Sequence, residues 1–433
     1  MHRYTALLLV SSIGLSGCFF KKKVPDVGPD PHEGGTIMLS APCNYSVTAR
    51  YGATTPEPNR FQFGAAPTPY QVHLGIASDP ATSMVVLWRS DGDTLATQVQ
   101  YGENGATDKS TDGFTFAYEN PVGDDIRMHE THLCGLKPDT EYSYRAGGTD
   151  GDGNQSFSPT YTFRTGPDLK AQPDAEVVIL VIGDTRDGYD TWGASLAEAE
   201  RLARPDLIMF SGDAVTLGPI QSEWDEWMMQ AGPTLSRIPI IAAHGNHDVN
   251  SVNYFSQFAL PGDEEYYGLQ YGPVHVTVIN DSPPIMSDLT SKGSQFLDAD
   301  LAASASSPWK LALHHKPLWS ASAGHGGDPN LLSIWGPIFD KYKPDIVFNG
   351  HDHDYERSKP MRGSTPQNSA SDGTIYIVAG SAGAPLYDNG TGFWTDFSEK
   401  VNSLVLLRAR AGSLQMNAYR PDGSNLDSLH LTK

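Results

Sequence analysis

Positive charge is scarce in this chain. Against 51 acidic residues stand only 30 lysines and arginines, a net charge of −21, and a polyanion of this kind repels nucleic-acid backbones and anionic membranes before any local site can engage them. A phosphate substrate would be repelled too, so an enzyme of this charge acting on phosphate must gather positive charge locally, as bound metal cations do. Long apolar runs are also missing. The N-terminal one, residues 6–10 behind His2 and Arg3, falls short of the roughly 20 residues that a membrane-spanning helix needs.

That short run instead reads as an export signal, residues 1–18. Leu15-Ser16-Gly17-Cys18 resembles the lipobox of bacterial lipoproteins, which implies that Cys18 becomes the lipidated first residue of a mature protein held at a membrane, periplasmic or at the cell surface, through its lipid alone. Residues 19–66 then form a tether and N-terminal extension, the tether itself rich in Pro, Gly and charge. With three cysteines in all and Cys18 consumed, Cys43 and Cys134 remain as an even pair in an oxidising compartment, either bridged or as two buried thiols.

A length of 433 residues exceeds what one hydrophobic core supports, and 43 glycines with 31 prolines favour strands and loops over a helical bundle. Residues 67–167 carry short alternating apolar runs, among them Met84-Val85-Val86-Leu87-Trp88 and Gln98-Val99-Gln100-Tyr101-Gly102. A turn then leads from Leu136 into a strand through Tyr142 and Tyr144 in the manner of a tyrosine corner. This stretch resembles a fibronectin type III domain, an all-β sandwich without catalytic residues. Asp150-Gly151-Asp152-Gly153-Asn154 lacks the distal Glu of a calcium loop and reads as a hairpin turn. From 175 to 433 continuous apolar runs alternate with helical patterns such as residues 195–202 and 295–301, the signature of an α/β domain.

The chemistry follows those apolar runs. Gly183-Asp184, Gly212-Asp213, Gly245-Asn246-His247-Asp248, His314-His315 and Gly350-His351-Asp352-His353 each stand directly behind one. Ligands of α/β sheets bind at the carboxyl ends of strands, so the five clusters should converge. Two carboxylates, one amide and three imidazoles, with no thiolate, suit Zn, Fe or Mn and disfavour soft Cu(I). Enough ligands are present for two ions sharing a bridging carboxylate.

Taken in order, with His315-Lys316-Pro317 and Gly350-His351-Asp352-His353-Asp354-Tyr355-Glu356-Arg357, these motifs resemble those of the calcineurin-like metallophosphoesterases. Together with the fibronectin-like domain they are most similar to the purple acid phosphatase branch. The resemblance implies a four-layer αββα sandwich holding two divalent or trivalent cations, Fe, Zn or Mn. Asp184 and His353 would bind the first, Asp213 would bridge, and Asn246, His315 and His351 would bind the second. His247 and His325 would serve as catalytic histidines. The implied reaction is hydrolysis of a small phosphomonoester by a metal-bound hydroxide, with phosphodiester hydrolysis as the alternative and a non-catalytic surface protein as the rival from another class.

Two positions depart from the family pattern. Thr216 stands where the purple enzymes have a tyrosine, and Arg186 stands where many other members have a histidine. The first cation is thus left short of a ligand that water, Tyr189 or a loop residue would supply. Arg186 is read either as a bidentate partner of a substrate phosphate or as the ion-pair partner of Asp187 or Asp190. His73, His129, His132, His244, His275 and His314 are expected to be structural or supporting residues.

Overall fold

The computed structural model describes residues 35–49, 52–120 and 125–433. The export signal, Cys18 and the first part of the tether lie outside the described residues.

The first folded unit is a β-sandwich. One sheet holds Gln98–Glu103, Lys109–Asp112, Glu141–Thr149, Gln155–Phe157 and Tyr161–Arg164; the facing strands are Tyr70–Gly75, Ser83–Ser90, Asp125–Cys134, Phe114–Glu119 and Glu57–Pro58. Alternation along Ser83–Ser90 explains its burial on both faces. Met84, Val86 and Trp88 enter the sandwich core with Val99, Tyr142, Tyr144 and Phe163, while Val85 and Leu87 point the other way onto Ala259 of the second unit. The tyrosine corner is formed, with the Lys137 amide donating to the Tyr142 hydroxyl at 3.0 Å. In the hairpin after Glu141–Thr149, the Asp150 carboxylate accepts from the amides of Asp152 and Asn154 at 3.0 and 2.8 Å, closing a turn. Cys43 and Cys134 are joined as a disulfide with their Cα atoms 5.3 Å apart, which fastens the extension to the last residue of a core strand. The sandwich also reaches upstream of residue 67, because Glu57–Pro58 pairs with Phe114–Glu119; a two-residue edge strand has no alternation to read.

The second unit stacks two sheets face to face between helices. In the first, Val177–Ile182, Leu207–Phe210 and Ile240–Ala242 run parallel, extended by the antiparallel strands Leu404–Arg410, Ser413–Tyr419 and Asn425–Thr432. In the second, Val274–Ile279, Trp309–Leu313, Ile346–Asn349 and Ile375–Ala379 are parallel, with antiparallel edges. Apolar residues at helical spacing cover the outer faces. Trp192, Leu196 and Ala199, with Trp224, Trp227, Met228 and Ala231, cover the first sheet; Leu297, Leu301, Leu331, Trp335 and Phe339 cover the second. The result is four layers, α, β, β and α.

The two units share one continuous sheet. Ile240 pairs in parallel with Gly75, so the sandwich strands extend the α/β sheet to eleven strands. A Cβ at Gly75 would sit 2.7 Å from the Ala259 carbonyl oxygen, which is why the close approach uses glycine. The Tyr118 hydroxyl donates to Gln221 and the Tyr144 hydroxyl to the Ser236 carbonyl, each at 2.7 Å, so the sandwich braces the helix that flanks the site.

Candidate metal centre

The carboxyl ends of the parallel strands converge on one pocket. Asp184, Asp213 and His351 each adopt left-handed backbone angles, with φ of 56°, 56° and 70°, a conformation that costs on the order of 1–3 kcal/mol per residue and persists only where the surroundings enforce it. Here the loops enforce it on one another. The Asp184 amide donates to the Gly212 carbonyl, the Thr185 amide to that of Asp213 and the Gly350 amide to that of His315, at 3.0, 3.1 and 2.9 Å. A Cβ at Gly245 would collide with Asp213 Oδ1 and one at Gly350 with Asp184 Oδ2, so these turns can pass the carboxylates only as glycine.

The donor atoms gather accordingly. Asp213, His315 and His351 each offer an atom within 4.8 Å of the others. His315 Nε2 lies 3.2 Å from Asp213 Oδ2 and 3.1 Å from Asn246 Oδ1, and His353 Nε2 lies 3.7 Å from Asp184 Oδ1. The six candidates thus form a group of four, Asp213, Asn246, His315 and His351, and a pair, Asp184 and His353, which the His351 amide ties to the group through Asp184. Their tautomers suit a cation. His315 Nδ1 contacts the Ser211 carbonyl and His353 Nδ1 that of Pro385, each at 2.8 Å; a carbonyl can only accept, so each Nδ1 carries a proton, and Nε2 is the atom that can turn a lone pair inward once the ring is neutral.

The charges call for cations as well. Burial, with Asp213 close by, raises the Asp184 carboxyl well above the usual range. Burial works the same way on Asp213, but His315 and His247 outweigh it and hold that carboxyl low. His315 would lose its proton on burial alone; Asp213 and Asp184 instead push its imidazole up to about 10. Burial and the neighbouring His315 drive His351 down to about 2, and burial is also the main reason His353 falls to about 4. Two buried carboxylates thus depend on the charge of one imidazolium, an arrangement that bound cations can replace.

Comparison with known proteins agrees with this geometry. Residues 69–165 match the family described as purple acid phosphatase, N-terminal domain, and residues 177–355 match calcineurin-like phosphoesterase. The chain belongs to the calcineurin-like metallophosphoesterases, in their purple acid phosphatase-like branch. Purple acid phosphatase 21 of Arabidopsis thaliana is 27% identical, the match covering 73% of this chain and 71% of the relative. Purple acid phosphatase 1 of Ipomoea batatas is 24% identical over 73% and 72%. In fold, the yellow lupin purple acid phosphatase PPD1 superposes with a TM-score of 0.75 at 21% identity, covering 84% of this chain and 74% of that one. This metallophosphoesterase is accordingly a hydrolase of phosphate esters with a dinuclear metal centre.

The departures take definite form in this metallophosphoesterase. Thr216 turns its hydroxyl to Asp187 at 2.8 Å, and its carbonyl receives His247 Nδ1 at 2.7 Å. Tyr189 donates to Glu223 at 3.2 Å, a partner outside the ligand group. Of the two readings of Arg186, the structure bears on the ion pair. Its Nη1 meets Asp187 at 3.4 Å, whereas Asp190 accepts from Gln230 instead, and its other nitrogens face the site. His325 stacks on His351, ring centres 4.2 Å apart, with its amide held by Asp352 at 2.9 Å.

Several supporting residues escaped the sequence reading. Asp248 accepts from the amides of Gly245, Asp213 and Ala214 at 2.8, 3.1 and 3.3 Å, pinning both neighbouring ligand loops; its place in the Gly245–Asp248 motif was the available signal. Tyr387 stacks on His353 with ring centres 4.2 Å apart, from a loop that carries no periodic pattern. Asp281 holds the Lys316 amide and His314 Nδ1 and so fixes the strand end that presents His315.

Proposed function

We propose that this hydrolase cleaves small phosphomonoesters outside the cytoplasm, held at a membrane by a lipid on Cys18. The gathering of Asp213, His315 and His351 within 4.8 Å, bordered by Asp184, Asn246 and His353, carries the reading. Asp184 and His353 would hold one cation, Asn246, His315 and His351 the other, with Asp213 between them. Fe, Zn or Mn fits these oxygen and nitrogen donors. When bound, the cations supply Lewis acidity at phosphorus and acidify water.

The chain's own side chains do the rest. Tied through Nδ1 to Thr216, His247 presents Nε2 3.9 Å from Asp213 Oδ2, where it can protonate the departing oxygen. His325, stacked on His351, borders the same space as a second proton donor. Arg186 offers its guanidinium to a phosphoryl oxygen.

Hydrolysis of a nitrophenyl phosphate should exceed that of its bis-nitrophenyl diester, and Asp213→Ala should lose both activity and bound metal. Faster diester turnover would reverse the substrate assignment. An Asp213→Ala protein that keeps its metal and its rate would remove the catalytic one.

A further inference from the structure

Arg186 lies against the ligand group. Its Nη2 is 3.4 Å from His353 Nε2, its Nε is 3.8 Å from Asp213 Oδ2, and its side chain is only 13% exposed. The Nε has no hydrogen-bond partner among the described residues. His353 spends its other nitrogen on Pro385, so the atom facing the guanidinium is the one that would bind a cation. Guanidinium cannot shed its proton to make room. Among the described residues, no other arginine or lysine pairs with Asp184 or Asp213. His315 Nε2 faces Asn246 and the same Asp213 oxygen, and it can become neutral where the guanidinium cannot.

We infer that the two cation positions are unequal: the one formed by Asp213, Asn246, His315 and His351 fills first and tightly, while the one formed by Asp184, His353 and the shared Asp213 binds weakly because Arg186 competes for it. The inference rests on the two-cation reading above. A fixed positive charge within hydrogen-bond distance of one donor repels an incoming cation, and moving it aside breaks its contacts with Asp213 and Asp187. The repulsion should separate the two affinities on the order of tenfold or more.

The test is a metal titration of the purified, chelator-stripped full chain with Mn2+, followed by calorimetry and by electron paramagnetic resonance. The wild type should take one ion tightly, giving the spectrum of an isolated Mn2+, and show spin coupling between two ions only at excess metal. Arg186→His, which replaces the charge with a donor, should bring the two affinities together and show coupling at two equivalents. Arg186→Gln, which removes the charge alone, should narrow the gap without closing it. Two ions of equal affinity in the wild type, or a gap that neither variant alters, would overturn the inference and leave the two-cation reading intact. No tight ion in any of the three proteins would overturn both.

Discussion

The His351 amide donates to both carboxylate oxygens of Asp184, at 2.9 and 3.1 Å. The first ligand loop of the α/β domain is thereby locked to the last, and the lock uses the very oxygens that would reach a cation. An Asn at position 184 keeps one acceptor for that amide but loses the charge. Asp184→Asn should therefore retain the fold, with an unchanged circular dichroism spectrum, while hydrolysis falls on the order of a hundredfold or more. A folded variant of undiminished rate would exclude Asp184 from the machinery.

Gly245 tests the fit of the turns. Its added Cβ would meet both the carboxylate and the amide of Asp213, neither of which can retreat, since Asp213 is buried and its backbone is tied to Asp248. Gly245→Ala should cost about 1–3 kcal/mol in chemical denaturation and lower metal occupancy along with the rate. Wild-type stability and occupancy would mean that the loop has slack the structure does not suggest.

Metal loading should release protons. In the metal-free protein His315 holds its proton up to about pH 10, yet its imidazole must be neutral to bind a cation. The sign follows directly: at pH 7 binding expels at least one proton, and affinity rises with pH by up to about tenfold per unit. Calorimetry of Zn2+ binding in buffers of different ionisation enthalpy measures the number. A value of zero would mean that His315 is already neutral.

The candidate ligands were legible in the sequence because each follows a strand buried on both faces, and a Gly-Asp or His-Asp-His behind such a run has few structural reasons to recur. Other features left no local trace. The helices Gln221–Leu235 and Pro329–Tyr342 contain Pro233 and Pro337, which interrupt the pattern that helices are read from. The junction of the two sheets rests on the single pairing of Ile240 with Gly75, a tertiary event between distant segments. Asp248 and Tyr387 act by holding other residues, through backbone amides and ring stacking, and composition does not encode such contacts. Arg186 could be found by its position after Asp184, but its lodging between Asp213 and His353 depends on loop geometry.

The tyrosine corner makes a separable prediction for the sandwich. Tyr142 is buried, stacks on Phe163 at 5.5 Å and accepts the Lys137 amide. Tyr142→Phe keeps the ring and deletes the acceptor, so it should cost roughly 1 kcal/mol with no effect on the rate of hydrolysis. A change in rate at full folding would mean that the sandwich couples to the site through this strand.

His129 should make stability fall in acid. It is fully buried, its ring stacks on Trp88 with centres 5.1 Å apart, and its two nitrogens meet the hydroxyls of Ser90 and Thr97 at 2.6 and 2.8 Å. Among the described residues no carboxylate is paired with it; burial, assisted by Arg127 and opposed by Asp91, lowers its pKa to about 3. In the unfolded chain the same imidazole titrates near pH 6.5, at roughly its ordinary value. Below that pH the unfolded state therefore takes up a proton that the folded state refuses, and stability is lost at up to about 1.4 kcal/mol per pH unit until about pH 3. Between pH 7 and 5 the loss from this one residue should come to roughly 2 kcal/mol. His129→Gln retains polar atoms for the two hydroxyls but does not titrate, so urea unfolding of the variant should lack that part of the pH dependence. Parallel curves for wild type and variant would mean that His129 gains its proton in the folded protein as readily as in the unfolded chain.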